Sequence, residues 1–167
     1  DDCGLFTVDG QVFTCDEHTD GYDVRSREDH QWSPGLIAMG QHALNKAGFG
    51  GNQVVLATGI PIQMYFSGQD GNPNQEILNR KSSAFVKAEI KNKIDGKGSP
   101  SLVDESSLVK VLSNTVIPEA VGAYMDLTIE ADGSDGAVFE EDVLIIDMGS
   151  YTTDIAVVGP GGRIRKE

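Results

Sequence analysis

Positively charged residues are scarce in this sequence, with 13 Lys and Arg against 26 Asp and Glu, for a formal net charge of -13 at pH 7. Nucleic acid and anionic membranes attract proteins through a basic surface that displaces counterions, so this balance argues against direct binding to either. The only basic cluster, Arg163 to Lys166, is too short for a binding arm. We therefore expect any action on DNA to pass through an adaptor protein.

The chain also has few cysteines and no long apolar run. Cys3 and Cys15 are too few for a disulfide framework, and although a disulfide between them is open, free thiols in a reducing compartment are favoured. No apolar stretch approaches the ~20 residues that cross a bilayer, and there is no signal peptide, so we expect a cytoplasmic protein without membrane contact. Because the chain begins at Asp1 without Met, we expect it to be a piece of a longer protein.

Apolar runs and turn signals in the first half of the chain predict alternating strands and helices, which is typical of an α/β layer architecture. A helix is predicted to begin with Ser33 as its cap and Pro34 as its first residue, and to end at Gly48. The predicted elements are strands at 5–8 and 11–15 around an Asp9-Gly10 turn, a helix from Pro34 to Gly48, and a buried central strand at 54–57. The helix residues expected to face the core are Leu36, Met39, Gly40, Ala43, Leu44 and Ala47.

The second half of the chain continues this alternation. Residues 75–91 are compatible with one helix or with a helix followed by a strand, and we favour a division near Ser82-Ser83. The other predicted elements are a turn at 92–101, a strand at 108–116, a helix from Pro118 to about Ile129, an acidic loop at 131–142, and a meander of strands at 143–146, 154–158 and 163–165. One face of this helix carries Ala120, Val121, Tyr124 and Leu127.

Residues 143–158 are the segment with the clearest chemical content. A fully apolar strand of the type that is buried on both faces ends in Asp147, so we expect this carboxylate at a sheet edge that faces a cleft. Gly149 lets the backbone approach a ligand, and the turn N–H groups and hydroxyls can hold phosphate oxygens. Asp147 can hold the water shell of a divalent cation or position an attacking water. The alternative is a plain hairpin whose Asp bonds the turn N–H groups, and spacing alone favours that alternative.

The second phosphate loop of the actin, sugar kinase and seventy-kilodalton chaperone superfamily resembles one stretch of this chain, Ile145-Ile146-Asp147-Met148-Gly149-Ser150-Tyr151-Thr152-Thr153-Asp154-Ile155. Within that superfamily the chain is most similar to the plasmid-segregation ATPases of the ParM/StbA family. Weaker matches follow in the family's order at Thr7-Val8-Asp9-Gly10-Gln11, His42-Ala43-Leu44, Thr58-Gly59-Ile60-Pro61 and Pro118-Glu119.

The resemblance implies an α/β fold, namely a ribonuclease H-like, actin-like ATPase domain with a mixed sheet and flanking helices, here incomplete. Residues 1–130 would form most of the N-terminal lobe without its first phosphate hairpin. Residues 131–167 would form the phosphate-loop hairpin that begins the second lobe. Because residues 1–4 only faintly resemble the first phosphate loop, we expect that loop, the adenosine-binding segment and the C-terminal lobe to lie outside this chain, which alone would bind ATP poorly.

The resemblance also implies a site for ATP and Mg²⁺. Asp147 corresponds to the family's acidic residue near the attacking water and the metal, which it contacts through water. Glu119 stands where the family has a polar residue that orients the attacking water, and a Glu that merely stabilises the helix dipole is the alternative. The residues expected to line the β- and γ-phosphates are Gly149, Ser150, Tyr151 and Thr152. Two of them depart from the family pattern, with Tyr151 in place of a small residue and Ser150 in place of a Gly.

The function that the resemblance implies is that of an ATP-hydrolysing actin-like protein that self-associates into filaments and moves plasmid DNA through an adaptor. Two alternatives stay open. A sugar or acid kinase of the same superfamily would use Asp147 as a base toward a hydroxyl group. A non-catalytic actin-like scaffold would keep the fold without hydrolysis.

Overall fold

The structure is a computed structural model, and it describes residues 4–15, 29–92, 108–148 and 153–165. Its helices and strands are β1 (Gly4–Val8), β2 (Gln11–Cys15), α1 (Pro34–Leu44), β3 (Gln53–Ile60), α2 (Ile62–Tyr65), α3 (Gln75–Lys87), β4 (Ile90–Asn92), β5 (Lys110–Pro118), α4 (Glu119–Thr128), β6 (Val143–Met148), β7 (Thr153–Gly159) and β8 (Arg163–Ile164). The described strands form sheets with the orders β2-β1-β4, β3-β5 and β6-β7-β8. No described helix is long and apolar enough to cross a bilayer.

The first hairpin is confirmed with the predicted register. Val8 pairs with Gln11 across a turn in which Asp9 and Gly10 have φ angles of 49° and 81°, the left-handed values of a type I′ turn. Asp9 also fixes the approach to β4, because its N–H donates to the Glu89 carbonyl and its carboxylate accepts from the Glu89 N–H, both at 3.0 Å. Cys3 lies outside the described residues, so the question whether Cys3 and Cys15 form a disulfide stays open.

Helix α1 begins as predicted, whereas its buried face differs from the prediction. The Ser33 hydroxyl oxygen accepts from the Leu36 N–H at 3.2 Å, which caps the helix. The buried α1 residues are Gly35, Ile37, Ala38 and Gln41, and Met39 is 55% exposed. The predicted stripe is therefore wrong for Met39, Ala43 and Ala47, which are exposed; Leu36 packs at the edge of the core. A polar residue, Gln41, occupies the buried face because its amide exchanges two hydrogen bonds with the Val109 backbone, at 2.7 and 3.2 Å.

Residues 75–87 form the single helix α3, so the predicted division near Ser82-Ser83 is wrong, although a helix followed by a strand is correct. Two hydrogen bonds at this point tie the unbroken helix to β5. The Ser82 hydroxyl donates to the Asn114 carbonyl at 2.6 Å, and the Asn114 amide donates to the Lys81 carbonyl at 3.4 Å. Polar residues in mid-helix thus contact a neighbouring strand instead of ending the helix.

Strands β3 and β5 pair and run in the same direction. At their starts the Lys110 N–H donates to the Asn52 carbonyl at 2.9 Å, and near their ends Gly59 lies against Glu119. The continuous burial predicted for residues 54–57 is wrong, because Val55 is 68% exposed while Val54 and Leu56 pack against a core. One face of β3 is covered in the described part of the chain, so its side chains alternate between core and surface.

The chain divides into two compact units. The first unit comprises Asp1–Leu56 and Asn79–Thr115, and the second unit comprises Ala57–Leu78 and Val116–Glu167. The core of the first unit consists of Phe6, Val8, Ile37, Ala38, Phe85 and Val111. The core of the second unit consists of Ala120, Tyr124, Ile145, Ala156 and Val158. Helix α4 therefore shares one core with β6 and β7, and the predicted lobe boundary at residue 130 stays a prediction about the whole protein.

The meander of β6, β7 and β8 is confirmed, but the burial expected for its first strand is not. In β6 only Ile145 is buried, whereas Leu144, Ile146 and Met148 are 58%, 52% and 79% exposed. Helix α4 covers the Ile145 face of the strand through Ala120 and Tyr124. Apolar composition alone predicted burial on both faces, while the described residues cover one face.

Candidate functional site

Asp147 lies near the end of β6, where its side chain is exposed. Strand alternation places it on the same face as Val143 and Ile145, which is the face that α4 covers. Asp147 pairs directly with Asp154 at the start of β7. Asp147 is thus exposed near the end of a strand, and its predicted position facing a cleft stays a prediction.

The Asp147–Asp154 pair is the unusual electrostatic feature of this hairpin. Side chains directly opposite each other in antiparallel strands have Cβ atoms about 4.5–5.5 Å apart, and like charges at such positions are destabilising. A hydrated cation between or beside the carboxylates removes that repulsion, and carboxylate oxygens are the ligands that Mg²⁺ prefers in proteins. The two residues therefore fit a hydrated Mg²⁺, although no group of three or more potential ligand residues occurs in the described ranges.

Asp154 is a residue to which the sequence reasoning assigned no role. The signal was available in the spacing, because pairing Met148 with Thr153 across the four residues between them places Asp147 opposite Asp154. The residues of that turn, Gly149, Ser150, Tyr151 and Thr152, lie outside the described ranges. Their predicted contacts with phosphate stay predictions.

Glu119 is the first residue of α4, with Pro118 as the preceding cap residue, and it is half-buried. Its side chain lies against Gly59 near the end of β3. A Cβ atom at Gly59 would come within 2.6 Å of the Glu119 Cγ and 3.4 Å of its Oε1. Gly59 thus leaves the space that the Glu119 side chain occupies, a role that the sequence reasoning did not assign to it.

The elements that carry the two predicted catalytic carboxylates are packed together. Ala120, next to Glu119, belongs to the same core as Ile145, two residues before Asp147. The larger of the two best-defined grooves in the described residues, about 420 Å³, is elsewhere. It is lined by Gly159, Pro160 and residues 163–165, at the opposite end of β7 from Asp154. This groove contains none of the predicted site residues.

The loop predicted at residues 131–142 is acidic and folded back on itself. The Glu130 N–H donates to the Ser134 carbonyl at 2.9 Å, and Ile129 forms a β-bridge with Asp135. The Ser134 hydroxyl, at 2.6 Å, holds the pKa of the Asp132 carboxyl below its ordinary value of 3.8. This loop carries negative charge on the surface at neutral pH.

Comparison with known structures and families agrees with this architecture. The chain is similar to the crystal structure of the actin-like protein Alp7A, with a TM-score of 0.60 and 14% identity, covering 98% of this chain and 44% of that chain. The fold is therefore actin-like, as the sequence resemblance predicted. The family model described as the plasmid segregation protein ParM, N-terminal, matches residues 3–129. The chain belongs to this family, and no curated protein matches it.

Proposed function

We propose that the whole protein is an actin-like ATPase that forms filaments and acts in plasmid DNA segregation. Family membership and the actin-like fold support this proposal. The observation that carries it is the pair of carboxylates, Asp147 and Asp154, directly opposite each other beside the turn that resembles a phosphate loop. Since this chain spans 44% of the Alp7A chain, the activity belongs to the intact protein.

In the proposed mechanism, Asp147 would hold Mg²⁺ through its bound water, with Asp154 as a second negative charge beside it. The metal would supply neutralisation of charge on the phosphates of ATP. Glu119, fixed against Gly59, orients the water that attacks the terminal phosphate in line. The N–H groups and hydroxyls of residues 149–152 donate to phosphate oxygens and stabilise the charge that develops in the transition state.

The proposed partners follow from family membership and charge. Copies of the protein associate with one another into filaments, and DNA is reached through an adaptor, because a chain with a net charge of -13 does not attract a polyanion. The proposed location is the cytoplasm.

Replacement of Asp147 by Asn in the intact protein tests this function. Because the amide lacks the negative charge that holds the metal's water, we expect phosphate release from ATP to fall at least about 100-fold. The matched control is Asp126→Asn, which removes an exposed carboxylate from α4 outside the site. Equal rates in wild type and D147N, with D126N also unchanged, would contradict the proposed role of Asp147.

A further inference from the structure

Charge is divided unequally between the two units. In the described residues, the first unit has six Lys and Arg against three Asp and Glu. The second unit has two Arg against twelve Asp and Glu. Over the full sequence both units are net negative, with 10 Lys and Arg against 13 Asp and Glu in the first unit and 3 against 13 in the second. The excess of cations in the first unit is therefore local to its described residues. A surface of each sign on one molecule allows two copies to attract each other in spite of their net repulsion.

Two cations of the first unit border an open groove of about 290 Å³ beside α3. Arg80 and Lys87 line it, and both are exposed. They are seven residues apart, about two helical turns, so they lie on one face of α3. In the described part of the chain neither residue forms an ion pair. Asp9 also lines the groove, with its carboxylate accepting from the Glu89 N–H, so the groove offers an acidic partner two cations beside one carboxylate.

Trp32 adds an aromatic wall to this groove. The Arg80 guanidinium carbon lies 4.6 Å from the centroid of the Trp32 ring, a cation–π contact that holds the guanidinium in place. The Trp32 Nε1–H is buried and has no hydrogen-bond partner among the described residues. Because this N–H is buried, Trp32 contributes to the groove through the face of its ring, on which the Arg80 guanidinium packs. We refer to the surface formed by Trp32, Arg80 and Lys87 as the basic groove.

The acidic segment, residues 130–142, is the complementary surface. It is formed by Glu130, Asp132, Asp135, Glu140, Glu141 and Asp142, all of them exposed. Asp142 is already paired with Arg165 at 3.0 Å, and Asp132 holds the local turn. Glu140 and Glu141 have no ion pair in the described ranges. Between these carboxylates Val138 is 84% exposed, so the segment also offers an apolar side chain.

We propose that the basic groove of one copy binds the acidic segment of a second copy, with Glu140 and Glu141 as the principal contacts to Arg80 and Lys87. The two surfaces differ, so the contact is head-to-tail and each copy keeps one unused surface of each kind. Such a contact repeats into a filament unless it closes into a ring. The proposal rests on the self-association in the proposed function and names the surfaces that carry it.

Charge reversal in the intact protein tests the basic groove. The variant R80E/K87E places like charges opposite each other, so we expect the critical concentration for polymerisation, measured by sedimentation with ATP, to rise at least about tenfold. The control K46E/K110E introduces the same change in net charge at two exposed lysines outside the groove and is expected to polymerise as the wild type does. Equal effects of the two variants would overturn the proposal.

Mixing two variants tests the pairing itself. E140K/E141K makes the acidic segment basic, so its critical concentration alone should also rise at least about tenfold. In an equimolar mixture with R80E/K87E, every groove can meet a segment of opposite charge, and we expect the critical concentration to return to within about threefold of wild type. A mixture that polymerises no better than its components contradicts the assigned pairing.

A failure of the proposed function gives a different result. If the wild-type protein releases phosphate but never sediments, the proposed filament is contradicted, whereas the proposed contact between the basic groove and the acidic segment is not. Sedimentation velocity would then measure smaller oligomers, whose salt-sensitive association R80E/K87E must still weaken at least about tenfold, and K46E/K110E must not. Association that is indifferent to both salt and R80E/K87E would overturn the proposal even if ATP is hydrolysed.

Discussion

Gly59 determines where the side chain of Glu119 lies. The sequence placed Glu119 at the start of a helix and Gly59 in a short stretch that matches the family, but it did not place the two in contact. They meet because β3 and β5 run in the same direction and end side by side, and α4 begins directly after β5. A Cβ at Gly59 would lie 2.6 Å from the Glu119 Cγ, closer than packed atoms approach.

We therefore expect Gly59→Ala to displace the Glu119 side chain while the fold is kept, because a Glu side chain can rotate away at low cost. Phosphate release by the intact protein should fall about 10- to 100-fold, the usual effect of a misplaced catalytic group. The measurement is steady-state phosphate release together with thermal unfolding.

Gly122→Ala is the matched control for this substitution. A Cβ at Gly122 in α4 meets only the Ile117 Cδ1, at 3.8 Å. The change should leave phosphate release unaltered and stabilise α4 by up to about 1 kcal/mol, because Ala favours a helix more than Gly does. Full activity of G59A would show that the position of Glu119 does not matter for hydrolysis.

Turns and helix starts were predictable from the sequence, whereas buried faces were not. The Asp9-Gly10 turn and the Ser33 cap are local signals, and both are present as expected. The face of α1 depends instead on what packs against it, and Phe85 of α3 is too distant in the sequence to be anticipated. Likewise, β6 reads as a fully buried strand, yet in the described residues only its Ile145 face is covered.

The packing of α1 on α3 predicts the effect of Gly40→Ala. A Cβ at Gly40 would come within 2.6 Å of the Phe85 Cε1 in the core of the first unit. Such overpacking costs about 1–3 kcal/mol. The loss of free energy of unfolding is measured by urea unfolding, with the fluorescence of Trp32 as the signal. Trp32 is the single Trp of the chain and lies in the first unit, as Gly40 does.

Two further variants separate overpacking from a general effect on α1. Met39→Ala changes a 55%-exposed side chain on the same helix and should cost less than about 0.5–1 kcal/mol. In the background of Phe85→Leu the clashing ring atoms are gone, so G40A should cost less there than in wild type. An equal cost in both backgrounds would contradict the packing described.

The whole molecule carries information that neither its residues nor its elements give separately. The total charge follows from the sequence, but the concentration of negative charge in the second unit becomes visible only once the fold assigns Asp1–Leu56 and Asn79–Thr115 to the first. The site likewise spans α4 and the β6–β7 hairpin, and the remainder of the proposed nucleotide cleft belongs to the intact protein, since this chain spans 44% of the Alp7A chain.

A crystal structure of the intact protein with Mg²⁺ and a slowly hydrolysed ATP analogue tests the proposed nucleotide site. The account predicts the phosphates at the turn of residues 149–152. It also predicts a carboxylate oxygen of Asp147 about 2.5–3.0 Å from a water bound to Mg²⁺. A nucleotide bound with its phosphates and metal away from both Asp147 and this turn would contradict it.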